Sequence, residues 1–510
     1  MGKNIARLYS AELEGIDAKI IEVEADVNVG LHCFNIVGLA DRSLNEAKER
    51  VNSALKNSGV KPPNRENRKI TINLAPADVK KTGSHYDLAI ALGYLLATNQ
   101  IKKSNTSDKI FLGELALDGR LRPVNGALNI AQRAAEDGFL FLFLPKENAN
   151  EASAIKGITI VAVETLREVL EILSEGRPMK PITREAPPER VESSQDFSEI
   201  YGQENAKRAL VIAAAGQHNV LLIGPPGVGK SFLAQATRGI LPPLEPEEAI
   251  EVTKIWSAAG LRPSGLMQER PFRAPHQTSS IGALIGGGPN PKPGEISLAH
   301  CGILFLDELP EFQKNAIEAL RQPLESGLIR LARAQKSLVL PARFTLVAAM
   351  NPCPCGYFGD KEKECKCSAY DVVKYKKKIS GPLLDRIDLQ VRVGRIGTEN
   401  LRATGDRKKI NSEVRSVVIR TRTIQTRRYA NIETVLSKTN SAVGSREIQK
   451  MARFDKKAER FLETLDKAHL SPRGYYRLIK VARTIADLEE KECISEEHLA
   501  EAFSYRLKEL

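Results

Sequence analysis

The spacing of hydrophobic residues changes along the chain and divides it into three parts. In residues 1–175, short apolar runs at 69–74 and 158–163 predict strands, whereas apolar residues that recur with a helical period at 41–58 and 87–97 predict helices. Strands and helices mixed in this order are typical of an α+β domain. We therefore expect the first domain to span residues 1–175.

The second and third parts differ from the first and from each other. Across residues 198–393, strand-like apolar runs alternate with helical segments, which predicts a parallel α/β sheet covered by helices on both faces. Residues 394–510 have a helical period and almost no strand-like run, so a helical domain is expected there. Residues 176–197 contain four prolines and many charges, which is typical of an interdomain linker.

Length and composition agree with this division. With 510 residues, of which 42% are hydrophobic and 27% charged, the chain falls in the globular range, which excludes a mainly disordered protein or a disulfide scaffold. No apolar run approaches the roughly 20 residues that a membrane-spanning helix needs. The N-terminal segment carries Glu12 and Glu14 and lacks the apolar core of a secretory signal, so a cytoplasmic protein is expected.

The segment that follows the apolar run 220–223 has the composition of a phosphate-binding loop. It reads GPPGVGKS and leads into a helical segment. Glycines let successive backbone N–H groups turn toward phosphates, and the N-terminus of the helix adds its positive end. Lys230 is expected to reach the β- and γ-phosphates of a nucleotide, and Ser231 to bind Mg²⁺. The predicted nucleotide-binding residues are Gly224, Pro225, Pro226, Gly227, Val228, Gly229, Lys230 and Ser231.

Two further apolar runs end in polar residues suited to nucleotide hydrolysis. The run 301–306 is followed by Asp307 and Glu308, a Walker B pattern in which the aspartate holds Mg²⁺ and the glutamate polarises the attacking water. The run 344–350 ends at Asn351, whose amide could orient water against the γ-phosphate as a sensor 1 residue. The alternative for Asp307 and Glu308 is a pair of N-capping residues for the next helix.

Together with these motifs, several long strings resemble the AAA+ ATPases and, within them, the magnesium-chelatase-like ComM/YifB family. The strings are RPFRAPHQTSS at 270–280, LIGGGPNPKPGEISLAHCGILFLDELPEF at 284–312, AAMNPCPCG at 348–356 and SGPLLDRIDL at 380–389. The resemblance extends over nearly the whole chain. It implies a ring, usually a hexamer, with ATP bound between protomers.

The resemblance also implies roles for two arginines. Arg386 would enter the neighbouring protomer's site as an arginine finger, and Arg473 would be a sensor 2 residue that faces the nucleotide of its own protomer. A guanidinium supplied in trans can raise the rate of phosphoryl transfer by roughly 10³- to 10⁵-fold. The alternatives are an intrachain pair of Arg386 with Asp385 or Asp388, and a solvated Arg473.

Action on DNA is the function that the resemblance implies, as branch migration or helicase activity on incoming DNA in natural transformation. In related enzymes a hairpin before the sensor strand enters the ring pore, which would place Arg333 and Lys336 against DNA. The competing functions are a chelatase-type motor for metal insertion and a peptide-remodelling ATPase. A segment with four cysteines at 353–367 is not typical of the motor subunits of chlorophyll-type magnesium chelatases, which favours the ComM-like function.

A basic segment offers a second place for nucleic acid. Residues 402–428 contain nine Lys or Arg residues and two acidic ones. The segment therefore has a net charge of +7, more than half of the net charge of +12 of the whole chain. Basic side chains at this density suit phosphate backbones. The predicted contacts are Arg420, Arg422, Arg427 and Arg428. A solvated helix face is the alternative.

Four of the seven cysteines form two Cys-x-Cys pairs separated by nine residues. Residues i and i+2 of an extended strand point to the same face, so each pair can offer two thiolates to one metal. The sequence therefore predicts a structural zinc site at Cys353, Cys355, Cys365 and Cys367. Reduced free thiols and a redox switch are the alternatives. The other three cysteines, Cys33, Cys301 and Cys493, are expected to be buried thiols.

Residues 1–175 resemble the ribosomal-S5-like domain of Lon proteases, most closely in LGELALDGRLRPVNGAL at 112–128. Lon enzymes cleave peptides with a Ser–Lys dyad, and Ser84 lies near the nucleophile position. Where the resemblance places the lysine, this chain has Leu128 or Asn129, which leaves the hydroxyl without an activating base. We therefore expect a noncatalytic scaffold or substrate-contact domain.

Overall fold

The structure is a computed structural model that describes residues 5–39, 42–65, 67–102, 105–175, 177–178, 182, 195–288, 291–332, 337–360, 362–395, 410–432, 437–465 and 471–506. Most of the predicted linker, residues 176–197, lies outside these ranges. Arg333 and Lys336 also lie outside them. Within the described residues, no helix combines the length and the apolar composition that crossing a membrane requires.

The strands are mostly short, and the first two are the longest. They are β1 (Ile5–Glu14), β2 (Asp17–Val29), β3 (Cys33–Val37), β4 (Arg68–Ala75), β5 (Lys109–Phe111), β6 (Glu114–Leu115), β7 (Leu121–Arg122), β8 (Phe141–Pro145), β9 (Thr159–Val163), β10 (Val220–Ile223), β11 (Phe272–Arg273), β12 (Gly286–Gly287), β13 (Lys292–Pro293), β14 (Ile303–Leu306), β15 (Leu328–Ala332), β16 (Ser337–Pro341), β17 (Thr345–Met350) and β18 (Leu389–Arg392).

The helices occur in all three predicted parts of the chain. They are α1 (Arg42–Asn57), α2 (Asp87–Ala97), α3 (Ala127–Glu136), α4 (Lys146–Ala152), α5 (Leu166–Glu175), α6 (Glu204–Gly216), α7 (Lys230–Ile240), α8 (Pro246–Ala259), α9 (Ile281–Ile285), α10 (Glu295–Leu298), α11 (Lys314–Glu318), α12 (Arg321–Ser326), α13 (Ala369–Lys376), α14 (Gly381–Leu384), α15 (Asn411–Arg428), α16 (Ser445–Met451), α17 (Lys456–Leu465), α18 (Pro472–Leu488) and α19 (Glu496–Ser504).

The chain forms two compact units. The first comprises Met1–Glu189, Glu245–Met267 and Gly288–Pro293, and the second comprises Arg190–Leu244, Gln268–Gly287 and Gly294–Leu510. Residues 245–267, which fall inside the predicted ATPase core, therefore group with the N-terminal residues.

The first unit is built on a seven-stranded sheet of order β3-β4-β2-β1-β5-β8-β9. Successive side chains of a strand point to opposite faces, and the two faces enter different cores. Phe111 and Phe143 pack with α1 and α2, whereas Ile110 and Leu142 pack with α3 and α4. Helix α8 joins this unit through α3, where the backbone N–H of Gly126 donates to the carbonyl of Ser257 at 3.2 Å.

The second unit contains a parallel five-stranded sheet of order β11-β14-β17-β10-β18. Every residue of β10, β14 and β17 is buried, because helices cover both faces of the sheet. Parallel strands end at a common edge, so the segments after Ile223, Leu306 and Met350 emerge side by side. The predicted multidomain α/β fold with a parallel central sheet is confirmed.

The C-terminal residues that the structure describes are helical and share a core with the sheet. Leu478, Val481 and Ile485 of α18 belong to the same buried cluster as Leu210 of α6 and Val220 of β10. The helices α15 to α19 therefore pack as part of the second unit.

Candidate active site

The loop between β10 and α7 requires glycine at two positions. A Cβ atom at Gly224 would lie 2.1 Å from the carbonyl oxygen of Val393 beside β18. Gly229 precedes α7 with a φ of +86°, a left-handed conformation that side chains rarely adopt. The two glycines thus allow the chain to turn from a buried strand directly into a helix, whose N-terminus faces the loop.

Lys230 is buried at this turn and bonded across the loop. Its Nζ donates to the carbonyl oxygens of Gly224 at 2.7 Å and Pro225 at 2.9 Å, and to Oδ1 of Asn351 at 3.0 Å. Burial lowers the pKa of this amine, and the nearby Asp307 carboxylate opposes the shift. The sequence-predicted lysine and the predicted sensor 1 residue are therefore in direct contact.

Ser231 and Asp307 form the second contact of the site. The Ser231 hydroxyl donates to Oδ2 of Asp307 at 2.6 Å, as expected for a bond to a carboxylate. A hydroxyl and a carboxylate are hard oxygen donors, so this pair suits Mg²⁺. Glu308 follows with φ +50° and an exposed side chain at the same edge of the sheet. Its position leaves the carboxylate open to solvent beside the Lys230–Ser231 loop.

Arg386 and Arg473 meet on a residue that sequence reasoning missed. Arg386 donates through Nη1 to the carbonyl of Pro382 at 2.6 Å and through Nη2 to Glu325. Arg473 donates through Nη2 to the other oxygen of Glu325 at 3.4 Å. Asp388, one of the partners considered for Arg386, instead binds Arg477 at 2.7 Å. Glu325 lies in α12, outside any recognisable motif, so only tertiary structure reveals it.

The sulfur atoms of the four clustered cysteines lie close together in the structure. The Sγ atom of Cys353 lies 3.4 Å from that of Cys355 and 3.7 Å from that of Cys365, and all four sulfurs lie within 4.8 Å of one another. A hydrogen bond from the backbone N–H of Tyr357 lowers the pKa of the Cys355 thiol to about 6. This donor set fits a metal that prefers thiolates. Of the remaining cysteines, Cys301 is buried but Cys33 and Cys493 are exposed, so the expectation of burial was wrong for those two.

Comparison with known proteins identifies the family. Residues 196–401 match the family model for magnesium chelatase, subunit ChlI; residues 23–148 match a second ChlI model, and 409–506 match the ChlI C-terminal model. The competence protein ComM of Haemophilus influenzae is 42% identical over 99% of this chain and 97% of its own length. The chain belongs to the ComM/YifB family.

More distant similarity agrees with this assignment. The YifB protein of Escherichia coli is 41% identical over 96% of this chain and 95% of its own length. The magnesium-chelatase 38 kDa subunit of Cereibacter sphaeroides is 29% identical over 31% of this chain and 52% of its own length. Membership in this magnesium-chelatase-like AAA+ family indicates an ATPase that uses ATP and Mg²⁺.

The four arginines predicted to bind DNA lie on α15 of this ComM/YifB-family protein in two kinds of surroundings. Arg422 donates through Nε and Nη2 to the carbonyl of Ala214 at 3.0 and 2.7 Å, and Arg428 donates to the buried Asp487. Arg420 and Arg427 are exposed. The guanidinium groups of Arg422 and Arg428 are therefore held by hydrogen bonds within the chain, whereas Arg420 has only a longer, exposed pair with Glu490 at 3.6 Å.

The residues considered for a Lon-type dyad have other partners. The Ser84 hydroxyl donates to Glu114, and Leu128 is buried in α3. The Asn129 side chain donates to the carbonyl oxygens of Ile16 at 2.6 Å and Lys254 at 3.2 Å. Asn129 thus bridges the sheet region and α8 of the first unit.

Proposed function

We propose that this protein is an ATP-hydrolysing ring motor that acts on DNA, as a branch-migration helicase in recombination of incoming DNA. The hydrogen-bonded set of Lys230, Ser231, Asp307 and Asn351 is the observation that supports ATP hydrolysis. Similarity along 99% of the chain to a protein named for competence supports the DNA substrate. The proposed compartment is the cytoplasm, where such DNA is processed.

The chemistry follows from the positions of five side chains. Lys230 would neutralise charge on the β- and γ-phosphates. Ser231 and Asp307 would hold Mg²⁺, which when bound would stabilise the developing charge. Glu308 polarises the attacking water, since its exposed carboxylate lies next to Asp307 in sequence. Asn351 contacts Lys230 and orients that water against the γ-phosphate.

A complete site requires a second protomer. Arg386 is proposed to act in trans on the neighbour's γ-phosphate, in a homohexameric ring. Its contact with Glu325, which Arg473 shares, supports placing both arginines on the same side of the protomer.

Two regions are proposed to contact DNA. The strands β15 and β16 pair as an antiparallel hairpin with Ala332 opposite Ser337, so Arg333 and Lys336 belong to its connection in the sequence. This supports a pore hairpin that carries both residues. On α15, exposure favours Arg420 and Arg427 as the residues that bind the phosphate backbone.

The cysteine cluster is proposed to hold one structural zinc ion. Thiolates at the usual Zn–S distance of about 2.3 Å lie about 3.8 Å apart in a tetrahedron. The observed distances of 3.4, 3.6 and 3.7 Å among Cys353, Cys355 and Cys365 approach this value. The segment also packs on the nucleotide loop, because a Cβ at Gly356 would lie 2.7 Å from Cδ of Pro226. Zinc would therefore brace the loop that binds phosphate.

The N-terminal domain is proposed to be a Lon-like, noncatalytic scaffold, and the C-terminal helices a lid for the nucleotide. The contact of Ser84 with Glu114, rather than with a lysine, supports the first assignment. The packing of α18 with α6 supports the second.

The decisive test measures ATPase activity with single-stranded, duplex and four-way-junction DNA. Stimulation that is strongest with the junction, together with strand exchange, is expected. Stimulation by a porphyrin-binding partner or by unfolded peptide, and none by any DNA, would instead support the chelatase-type or peptide-remodelling function.

A further inference from the structure

The two oxygens of Glu325 bind two arginines that are far apart in sequence. Oε2 accepts from Arg386, which follows α14, and Oε1 accepts from Arg473, in the first turn of α18. The Arg386 side chain is only 11% exposed, whereas those of Glu325 and Arg473 are 57% and 64% exposed. The carboxylate therefore bridges a nearly buried guanidinium and one at the surface.

The chemistry of this bridge suits orientation more than stability. The pair of Glu325 with Arg473 joins two largely exposed side chains and contributes little to folding, because solvent screens it. A guanidinium has five N–H donors in a fixed plane, so the bonds to Glu325 and Pro382 leave donors of Arg386 for a phosphate. The bond from Arg386 also lowers the pKa of Glu325 below its ordinary value, so the carboxylate stays ionised in acid well below neutral pH.

We propose that Glu325 is a positioning residue for ATP hydrolysis, holding Arg386 and Arg473 side by side so that both act on one nucleotide. This inference rests on the proposed function. Because Arg386 is assigned to the neighbouring protomer's nucleotide, Arg473 would act on that same nucleotide, and not on the nucleotide of its own protomer as the resemblance implied. Glu325 fixes both side chains before the phosphate binds. The entropic cost of ordering the two arginines therefore does not add to the activation free energy of hydrolysis.

The test uses Glu325→Gln in the full-length protein. A glutamine has a single acceptor oxygen, so it can retain one arginine but not both. We expect kcat for ATP to fall roughly tenfold or more, since small misplacements of catalytic groups are costly. Nucleotide affinity should stay parental, because the Lys230 loop is untouched, and so should the thermal midpoint. The matched control is Glu269→Gln, which removes an exposed carboxylate bonded to Arg238 at 2.5 Å and should leave kcat unchanged.

Epistasis separates positioning from a general structural effect. Glu325→Gln should cause no further loss in an Arg386→Ala background, because only Arg473 then remains to be held and the single acceptor oxygen of glutamine suffices for it. A multiplicative loss in the double variant, or a parental kcat in Glu325→Gln alone, overturns the inference. Should Glu325→Gln unfold, Arg473→Gln replaces it, and a parental kcat in that variant also overturns it.

The same experiments distinguish this inference from the proposed function. If Arg386→Ala keeps parental turnover, the trans role of Arg386 is wrong, and the inference fails with it. If Arg386→Ala loses turnover while Glu325→Gln does not, the proposed ATPase mechanism stands and only the role of Glu325 is refuted.

Discussion

Substitutions on α15 should separate DNA binding from protein stability, because its arginines differ in their surroundings. Arg428 donates through Nη1 to Oδ2 of Asp487 at 2.7 Å, and the Asp487 side chain is fully buried. Arg420 and Arg427 are exposed. We therefore expect Arg428→Ala to destabilise the fold, and Arg420→Ala combined with Arg427→Ala to weaken DNA binding without unfolding the protein.

The destabilisation by Arg428→Ala can be bounded from the remaining contacts of Asp487. Removing one partner of a buried ion pair costs about 3–5 kcal/mol, because a charge is left uncompensated. Arg483 Nε at 3.1 Å and Asn440 Nδ2 at 2.8 Å still bind this carboxylate, which favours the lower end, about 3 kcal/mol. At about 2–4 °C per kcal/mol for a unit of this size, the thermal midpoint should fall by about 6–12 °C.

The double variant Arg420→Ala, Arg427→Ala should change the salt dependence of DNA binding. Each phosphate contact contributes about 0.9 to the slope of log K against log salt for duplex DNA, so losing two should flatten it by about 1.8. Between 50 and 200 mM salt, the variant would then lose about tenfold less affinity than the parent. The pair of Arg420 with Glu490 at 3.6 Å joins two largely exposed side chains, so its loss should leave the thermal midpoint unchanged.

Fluorescence anisotropy with labelled duplex DNA at several salt concentrations, and thermal unfolding followed by circular dichroism, measure both effects. A parental salt slope in the double variant would show that these two arginines are a solvated face, and that DNA binds elsewhere. A parental thermal midpoint in Arg428→Ala would refute the cost assigned to Asp487.

Three further predictions concern the nucleotide site. Lys230→Ala should abolish ATP binding, whereas Glu308→Gln should keep ATP bound and stop turnover, since only the water-polarising carboxylate is lost; equal loss of ATP affinity, measured by nucleotide titration, would contradict these roles. Arg386→Ala protomers should retain nucleotide affinity and inactivate wild-type neighbours in mixed rings, and activity that declines only in proportion to mutant content would indicate a role in cis. Removing metal with a chelator should release one zinc ion per chain, counted by mass spectrometry, and weaken ATP binding because Gly356 packs on Pro226; an unchanged ATP affinity would disprove this support of the loop.

The residues that could be predicted from the sequence are those whose role depends on their neighbours along the chain. Gly229 must adopt a positive φ, and Lys230 must follow it to begin the helix, so spacing alone located the loop. Helix α2 was predicted at 87–97 and runs over Asp87–Ala97, and every residue in it is buried. Asp307 and Asn351 were found because buried parallel strands end at one edge of a sheet.

Contacts between distant segments could not be predicted in this way. The density of basic residues suggested that Arg422 and Arg428 bind DNA, but the partner of Arg428 lies 59 residues away on α18. The spacing of charges along the sequence identifies the basic side chains but not the carboxylates or carbonyls that contact them in the folded protein. Glu325 was missed for the same reason, because both of its arginines come from other parts of the chain.

The C-terminal helices belong to the architecture of the active site because a buried ion pair fixes them to the sheet. Asp388 binds Arg477 of α18 at 2.7 Å and accepts from the backbone N–H of Asn219 at 3.0 Å. Burial opposes ionisation of Asp388, but the charge of Arg477 together with the hydrogen bonds from His218 and the backbone of Asn219 outweighs it and holds the pKa of this carboxyl well below its usual range. The Asn219 side chain in turn donates to the backbone carbonyl of Arg386 at 3.0 Å. One cluster therefore contacts both the backbone of Arg386 and the helix that carries Arg473, so loosening of the C-terminal helices is expected to disturb the two arginines that meet on Glu325.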